Sequence, residues 1–214
     1  MARSYGKSNA LSILEGYELV KDGSLYRPVG VGCVRKGDDI LVIDRYKESD
    51  ELTYGMSTLP SGGVELEDKT FERCAIRETK EETDVDAICI ENGKYDTLPL
   101  DGIVVKEREN IVAAIDPSGN IVVYYTNSGK RYIERLVNLW PLPYTFPNEV
   151  ENESRNPRYE RFSEIISSGG DNFTPMSKII FEVMQYEHGI PIARKNDLII
   201  RDLRDVSNFV KIAV

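Results

Sequence analysis

Residues 62–85, Gly-Gly-Val-Glu-Leu-Glu-Asp-Lys-Thr-Phe-Glu-Arg-Cys-Ala-Ile-Arg-Glu-Thr-Lys-Glu-Glu-Thr-Asp-Val, constrain this chain more than any other stretch. A glycine pair leads into a short loop and then a helix whose end carries Arg77, Glu78, Glu81 and Glu82. At about 100° per residue the three carboxylates project within an arc of roughly 100°. Glu78 and Glu82 stand one turn apart on one face, where like charges repel. Negative charge near a helix C-terminus also meets the negative end of the macrodipole, so the clustering is unfavourable unless a cation binds. Hard cations such as Mg²⁺ or Mn²⁺ take oxygen ligands, and Gly62 and Gly63 let backbone approach a ligand closely. The pattern predicts a metal-and-phosphate site built from a loop and a helix. The bland alternative is a solvated acidic helix end, and the glycines argue against it.

These residues resemble a Nudix box: Gly, five residues, Glu, seven residues, Arg-Glu, an aliphatic residue, any residue, Glu-Glu, any residue, Gly and an aliphatic residue. Gly63, Arg77, Glu78, Glu81, Glu82 and Val85 stand at matching positions, and Leu59-Pro60-Ser61-Gly62 resembles the family's Leu-Pro-Gly-Gly lead-in. Thr70 falls where the helix N-cap belongs, and its hydroxyl suits that role. Three positions depart. Lys69 replaces the first Glu, Thr79 the aliphatic residue and Asp84 the closing Gly. Asp tolerates the left-handed conformation of a helix C-cap. Thr79 packs if its hydroxyl bonds back to the preceding turn. Lys69 matters most, because the Glu it replaces supports the loop–helix geometry in the family. Glu65, Glu67 and Asp68 are the candidates to take over that support.

The net charge of −9 argues against a general nucleic-acid binder and sharpens the need for cations at a phosphate site. Composition is that of an ordinary globular protein, and 214 residues suit one domain with an appendage. Cys33, Cys74 and Cys89 lack metal-ligand spacing and read as reduced thiols of a cytoplasmic protein. There is no signal-peptide pattern and no apolar run long enough to span a membrane. His188 is the only histidine, so no histidine triad exists.

Along the chain, residues 1–28 read as an N-terminal β extension with a hairpin turn at Lys21-Asp22-Gly23-Ser24. The resemblance implies a possible homodimer formed through it; a strand pair packed on its own domain is the alternative. A hairpin is predicted from Val29 to Arg35 and Ile40 to Arg45. The box helix spans Thr70 to Thr83, and a strand follows from Val85 to Ile90. A meander occupies residues 103–140, with strands at 103–106, 111–115, 121–126 and 131–140 and a turn at 116–120. Residues 141–160, rich in proline and acid, read as a long loop. A short helix is placed within 159–167. A final helix begins at Pro175 behind Thr174. Residues 188–214 form a C-terminal extension with β segments at 190–194 and 198–200. The core domain is thus 29–187.

The expected fold is α+β, a Nudix-type α/β/α sandwich with a mixed β-sheet. The resemblance implies hydrolysis of a pyrophosphate bond in a nucleoside diphosphate linked to another moiety, with ADP-ribose or a sugar nucleotide favoured. Gly62, Glu78, Glu81 and Glu82 would hold Mg²⁺ or Mn²⁺, and Glu78, Glu81 and Glu82 would carry the catalysis. Gly63, Tyr46 and Tyr54 would contact the small nucleotide substrate. Arg77 would brace the helix. The base would come from Glu81 or from the loop bearing Glu149, Glu151 and Glu153. The alternative function is a Nudix-fold nucleotide-binding or regulatory module with weak catalysis, which Lys69 and Thr79 favour.

Overall fold

The computed structural model describes residues 10–14, 18–21, 24–46, 52–89, 97–99, 103–108, 111–115, 120–127, 129–150, 154–187 and 201–202. The strands in chain order are β1 (Ala10–Leu14), β2 (Glu18–Lys21), β3 (Ser24–Lys36), β4 (Asp39–Arg45), β5 (Ser57–Thr58) and β6 (Ser61–Gly63). Helix α1 (Phe71–Thr83) follows, then β7 (Ala87–Cys89), β8 (Thr97–Pro99), β9 (Ile103–Arg108), β10 (Ile111–Ile115), β11 (Ile121–Asn127) and β12 (Lys130–Pro141). The last elements are β13 (Ser154–Arg161), α2 (Phe162–Ser167), α3 (Pro175–Glu187) and β14 (Arg201–Asp202).

The long path of the sheet runs β14-β9-β10-β11-β12-β3-β2-β1-β8. Strands β9 to β12 form the antiparallel meander that the turn residues predict. β12 then lies parallel to β3, pairing Leu136 with Val31 and Leu139 with Val34, which makes the sheet mixed. This central pair is buried on both faces, so its strands show apolar residues at odd and even positions alike. Ile133, Val137 and Leu139 of β12 face one core with Phe71, Cys74 and Ala75 of α1. Leu136 faces the other core with Ile179, Ile180, Val183 and Met184 of α3. Helices therefore cover both faces, and the α/β/α arrangement is as expected.

The box helix lies unusually close to the sheet. A Cβ on Gly30 of β3 would come within 2.7 Å of the Phe71 carbonyl oxygen and 2.9 Å of the Ala75 nitrogen. Only glycine admits that approach, which sets the depth of α1. The helix begins as predicted: the Thr70 hydroxyl accepts from the Arg73 N–H at 3.1 Å. It ends on Asp84 in the left-handed conformation (φ 58°), whose N–H returns to the Lys80 carbonyl. Thr79 is fully buried, but its hydroxyl makes no hydrogen bond; the hydroxyl that bonds back one turn belongs to Thr83, which donates to the Thr79 carbonyl at 2.6 Å.

Two expectations need correction. The strand after the helix starts at Ala87 rather than Val85, because the left-handed cap and Val85–Asp86 turn the chain first. Residues 141–160 are not one loop: Ser154–Arg161 is β13, antiparallel to β4, with Tyr159 opposite Leu41 and Glu160 opposite Ile40. Pro157, which argued for a loop, sits where the register shifts between Arg155 and Arg158, so its missing N–H costs no ladder bond. β3 runs unbroken from Ser24 to Lys36, through the position where the N-terminal extension was expected to end. The segments at 190–194 and 198–200 and most of the turn at 116–120 lie outside the described residues.

Candidate active site

The glycine lead-in is strand β6, paired with β3 so that Gly62 stands opposite Gly30. This pairing lays the loop across the face of α1 that carries Glu78 and Glu82. A Cβ on Gly62 would overlap the Glu78 carboxyl group. The Gly62 carbonyl accepts from the Cys74 thiol at 3.2 Å, and burial pushes that thiol up to about 12, so it stays protonated. Glu82 is held from two sides. The Ser61 N–H donates to its Oε2 at 2.9 Å, and the Ser154 hydroxyl donates to its Oε1 at 2.6 Å. Burial pushes the Glu82 carboxyl up to about 7, against the pull of the Ser154 and Ser61 hydrogen bonds. Burial also raises Glu78, although Arg77 opposes it.

Asp68 is the residue that the sequence left among three candidates. Its two oxygens take Arg77 Nε at 3.0 Å and Nη2 at 2.8 Å, and Oδ2 also accepts the Glu65 N–H at 2.8 Å. Lys69, in the left-handed conformation (φ 61°), lets the loop turn here so that Asp68 points inward and is buried. The acidic support missing at position 69 is thus supplied one residue earlier. Arg77 also bonds the Gly63 carbonyl at 3.0 Å, Glu78 Oε1 at 2.7 Å and Glu81 Oε2 at 2.9 Å. Its hydrogen bonds to Asp68 lead the forces that raise its pKa and keep it charged. Arg77 braces loop to helix, as expected.

Not all the anticipated residues converge. Glu78 and Glu82 meet the glycine loop, whereas Glu81 is on the rim, with its side chain 56% exposed and turned to Arg77. Among the described residues no group of three Asp, Glu, His or Cys side chains surrounds one point. Tyr46 and Tyr54 pack edge to face at 5.1 Å, and the Arg155 guanidinium lies 5.0 Å from the Tyr46 ring. They neighbour the Glu82 end of the site, because Ser154 pairs with Arg45 across β13 and β4. Glu149 is exposed; Glu151 and Glu153 lie outside the described residues. Ser154 and Ser61 were missed, since neither carries a sequence signal for contact with Glu82.

The donor set fits a hard divalent cation. Two half-buried carboxylates one turn apart and a backbone carbonyl are all oxygen, and the Glu78 carboxyl lies against the loop only because residue 62 has no side chain. A cation would offset the burial that raises both carboxyl groups.

Residues 26–122 match the model of the NUDIX domain, and the box lies inside that segment. That segment is similar to a NUDIX domain. Its fold is that of Nudix hydrolases. The structure of a MutT protein from Methanosarcina mazei Go1 is similar at a TM-score of 0.52 and 15% identity, covering 82% of this chain and 99% of the other. A NUDIX hydrolase from Nitrosomonas europaea aligns at a TM-score of 0.50 and 13% identity, covering 77% of this chain and 90% of the other. No curated protein matches the sequence. Among the described residues no helix is long and apolar enough to cross a membrane.

Proposed function

We propose that the protein is a divalent-metal-dependent pyrophosphohydrolase acting on a nucleoside diphosphate linked to another moiety, with ADP-ribose or a sugar nucleotide as the favoured substrate. The observation that carries this reading is the packing of Glu78 and Glu82 against one loop, Glu78 where only a glycine at 62 admits it and Glu82 on the Ser61 N–H and the Ser154 hydroxyl. When bound, Mg²⁺ or Mn²⁺ would neutralise the diphosphate and lower the pKa of a water. Glu78, Glu82 and the Gly62 carbonyl would hold it. Ser61 and Ser154 fix the Glu82 carboxylate, leaving its remaining lone pairs for the cation. Glu81, at the rim, is placed to take a proton from water at the substrate side once it leaves Arg77. Tyr46 and Tyr54 offer aromatic faces for a base near the Glu82 end.

The alternative, a binding module with weak catalysis, rested on Lys69 and Thr79. The Asp68–Arg77 pair weighs against the first of these reasons. The test is hydrolysis of ADP-ribose, sugar nucleotides, dinucleotides and nucleoside triphosphates with Mg²⁺ or Mn²⁺, read by product mass beside Glu82→Gln. Cleavage of one diphosphate, lost with chelator and with the substitution, is the expected result. Saturable binding with no turnover by the folded protein would favour the module instead.

A further inference from the structure

A cleft of about 750 Å³ opens on the α3 side of the sheet, at the far end of the β3–β12 pair. Such a volume suits a small ligand; sites for them run roughly 300–1,000 Å³. The cleft shares no lining residue with Gly62, Glu78 or Glu82, so it is not the box site. Leu136, Asn138 and Trp140 alternate along β12 and line the cleft with Arg35 and Lys36 of β3 and Tyr159 of β13.

Three features of the cleft point the same way. First, its lining contains no Asp or Glu, in a chain of net charge −9, yet it holds both Arg35 and Lys36. The Lys36 ammonium lies 6.0 Å from the Tyr159 ring, so a cation already stands beside an aromatic wall. Second, Trp140 near the end of β12 and the strap formed by residues 141–147 expose large apolar side chains at the cleft. Trp140 is 58% exposed, Phe146 67% and Tyr144 94%. Tyr144 is in the left-handed conformation (φ 71°), rare for a bulky residue. Third, the strap is tied down at both ends. The Leu142 N–H donates to the Asp86 carbonyl at 2.7 Å, and the Asn148 N–H donates to the Thr83 carbonyl at 2.9 Å. The backbone that carries these aromatic side chains is therefore fixed before any ligand arrives, which lowers the ordering cost of binding.

We propose that this cleft is a second ligand site, for a nucleotide-sized aromatic anion. A planar base would stack on Trp140 and Tyr144, and a phosphate would meet Lys36 and Arg35. The proposal stands apart from the hydrolase reading, because none of its residues belongs to the box.

Trp140 is the only tryptophan, so its fluorescence reports this cleft alone. The full chain is titrated with AMP in chelator, exciting at the red edge of the tryptophan band where adenine does not absorb. Saturable quenching is expected, unchanged by Glu82→Gln and weakened about tenfold or more by Lys36→Glu. Arg35→Gln, which keeps bulk beside Phe162, is the second variant in case Lys36→Glu unfolds; circular dichroism checks both. Absence of saturable quenching by the folded protein overturns the proposal. Equal quenching by adenosine and AMP, indifferent to Lys36→Glu, overturns the anion site. A spectrum that changes with protein concentration and not with AMP assigns the cleft to a second copy of the chain, and also overturns it.

Discussion

Asp68 and Arg77 form a two-point ion pair across the loop–helix junction, with Arg77 Nε 3.0 Å from Oδ1 and Nη2 2.8 Å from Oδ2. Asp68 is 5% exposed, so removing it leaves a guanidinium at the junction without its main partner. Breaking a fully buried pair costs roughly 3–5 kcal/mol; with Arg77 22% exposed, solvent lowers this to about 2 kcal/mol. Asp68→Ala is expected to lose about that much in urea unfolding and to lose metal-induced stabilisation. Lys69→Ala should change stability by under about 0.5 kcal/mol apart from the strain of its positive φ, and Lys69→Gly should be neutral or slightly stabilising. A larger loss from Lys69→Gly than from Asp68→Ala would refute the substitution of one support for the other.

The two glycines of the lead-in should behave differently. A Cβ on Gly62 would overlap the Glu78 carboxyl, whereas one on Gly63 meets nothing within 4 Å. Gly62→Ala is expected to displace Glu78 and weaken Mg²⁺ or Mn²⁺ binding roughly tenfold to a hundredfold, read as loss of the metal-dependent rise in Tm. Gly63→Ala should keep that rise and alter, at most, KM. Equal metal responses in the two variants would contradict the placement of Glu78 over residue 62.

Stability should fall as pH rises from about 4.5 to 7. Burial pushes the Glu134 carboxyl up to about 7, although the Tyr125 hydroxyl donates to it at 2.8 Å. In that window the folded chain keeps a proton that the unfolded chain, at about 4.5, has lost. The stabilisation is complete below the unfolded value and is lost as pH passes the folded one. The slope is at most about 1.4 kcal/mol per pH unit for one proton. Glu82, raised by the same cause, adds to it in chelator. Urea unfolding of Glu134→Gln in chelator should show a shallower slope than the parent; an unchanged slope would mean that Glu134 does not titrate there.

The legible parts of this fold are the ones whose reasons are local. The first hairpin, the meander and α1 follow from alternation, turn residues and capping, all within a few positions. β13 is not legible in the sequence because Ser-Arg-Asn-Pro-Arg-Tyr-Glu-Arg lacks apolar alternation. Its order comes from partners on β4, including the Arg158–Asp44 ion pair at 2.8 Å, which no local pattern announces. Asp68 was one of three candidates because the choice depends on the backbone turning left-handed at Lys69. Glu81 matched the box as well as its neighbours did, yet helical position puts it at the rim.

Ser154 gives the sharpest test of how the site is held. It lies 72 residues from Glu82, brought there by β13, and its hydroxyl bonds Oε1 at 2.6 Å. It is 3% exposed, so no water readily replaces it. Ser154→Ala would leave that carboxylate on the Ser61 N–H and let it rotate. Loss of such a supporting bond typically costs about tenfold to a hundredfold in metal affinity or activity. The expected signature is a higher Mg²⁺ concentration for half-maximal Tm shift, partly restored in Ser154→Thr, which keeps the hydroxyl. The global unfolding free energy in chelator should drop by only about 1 kcal/mol, the worth of one hydrogen bond. If Ser154→Ala and Ser154→Thr shift the metal midpoint equally, the hydroxyl is not what orients Glu82, and the packing around residue 154 is.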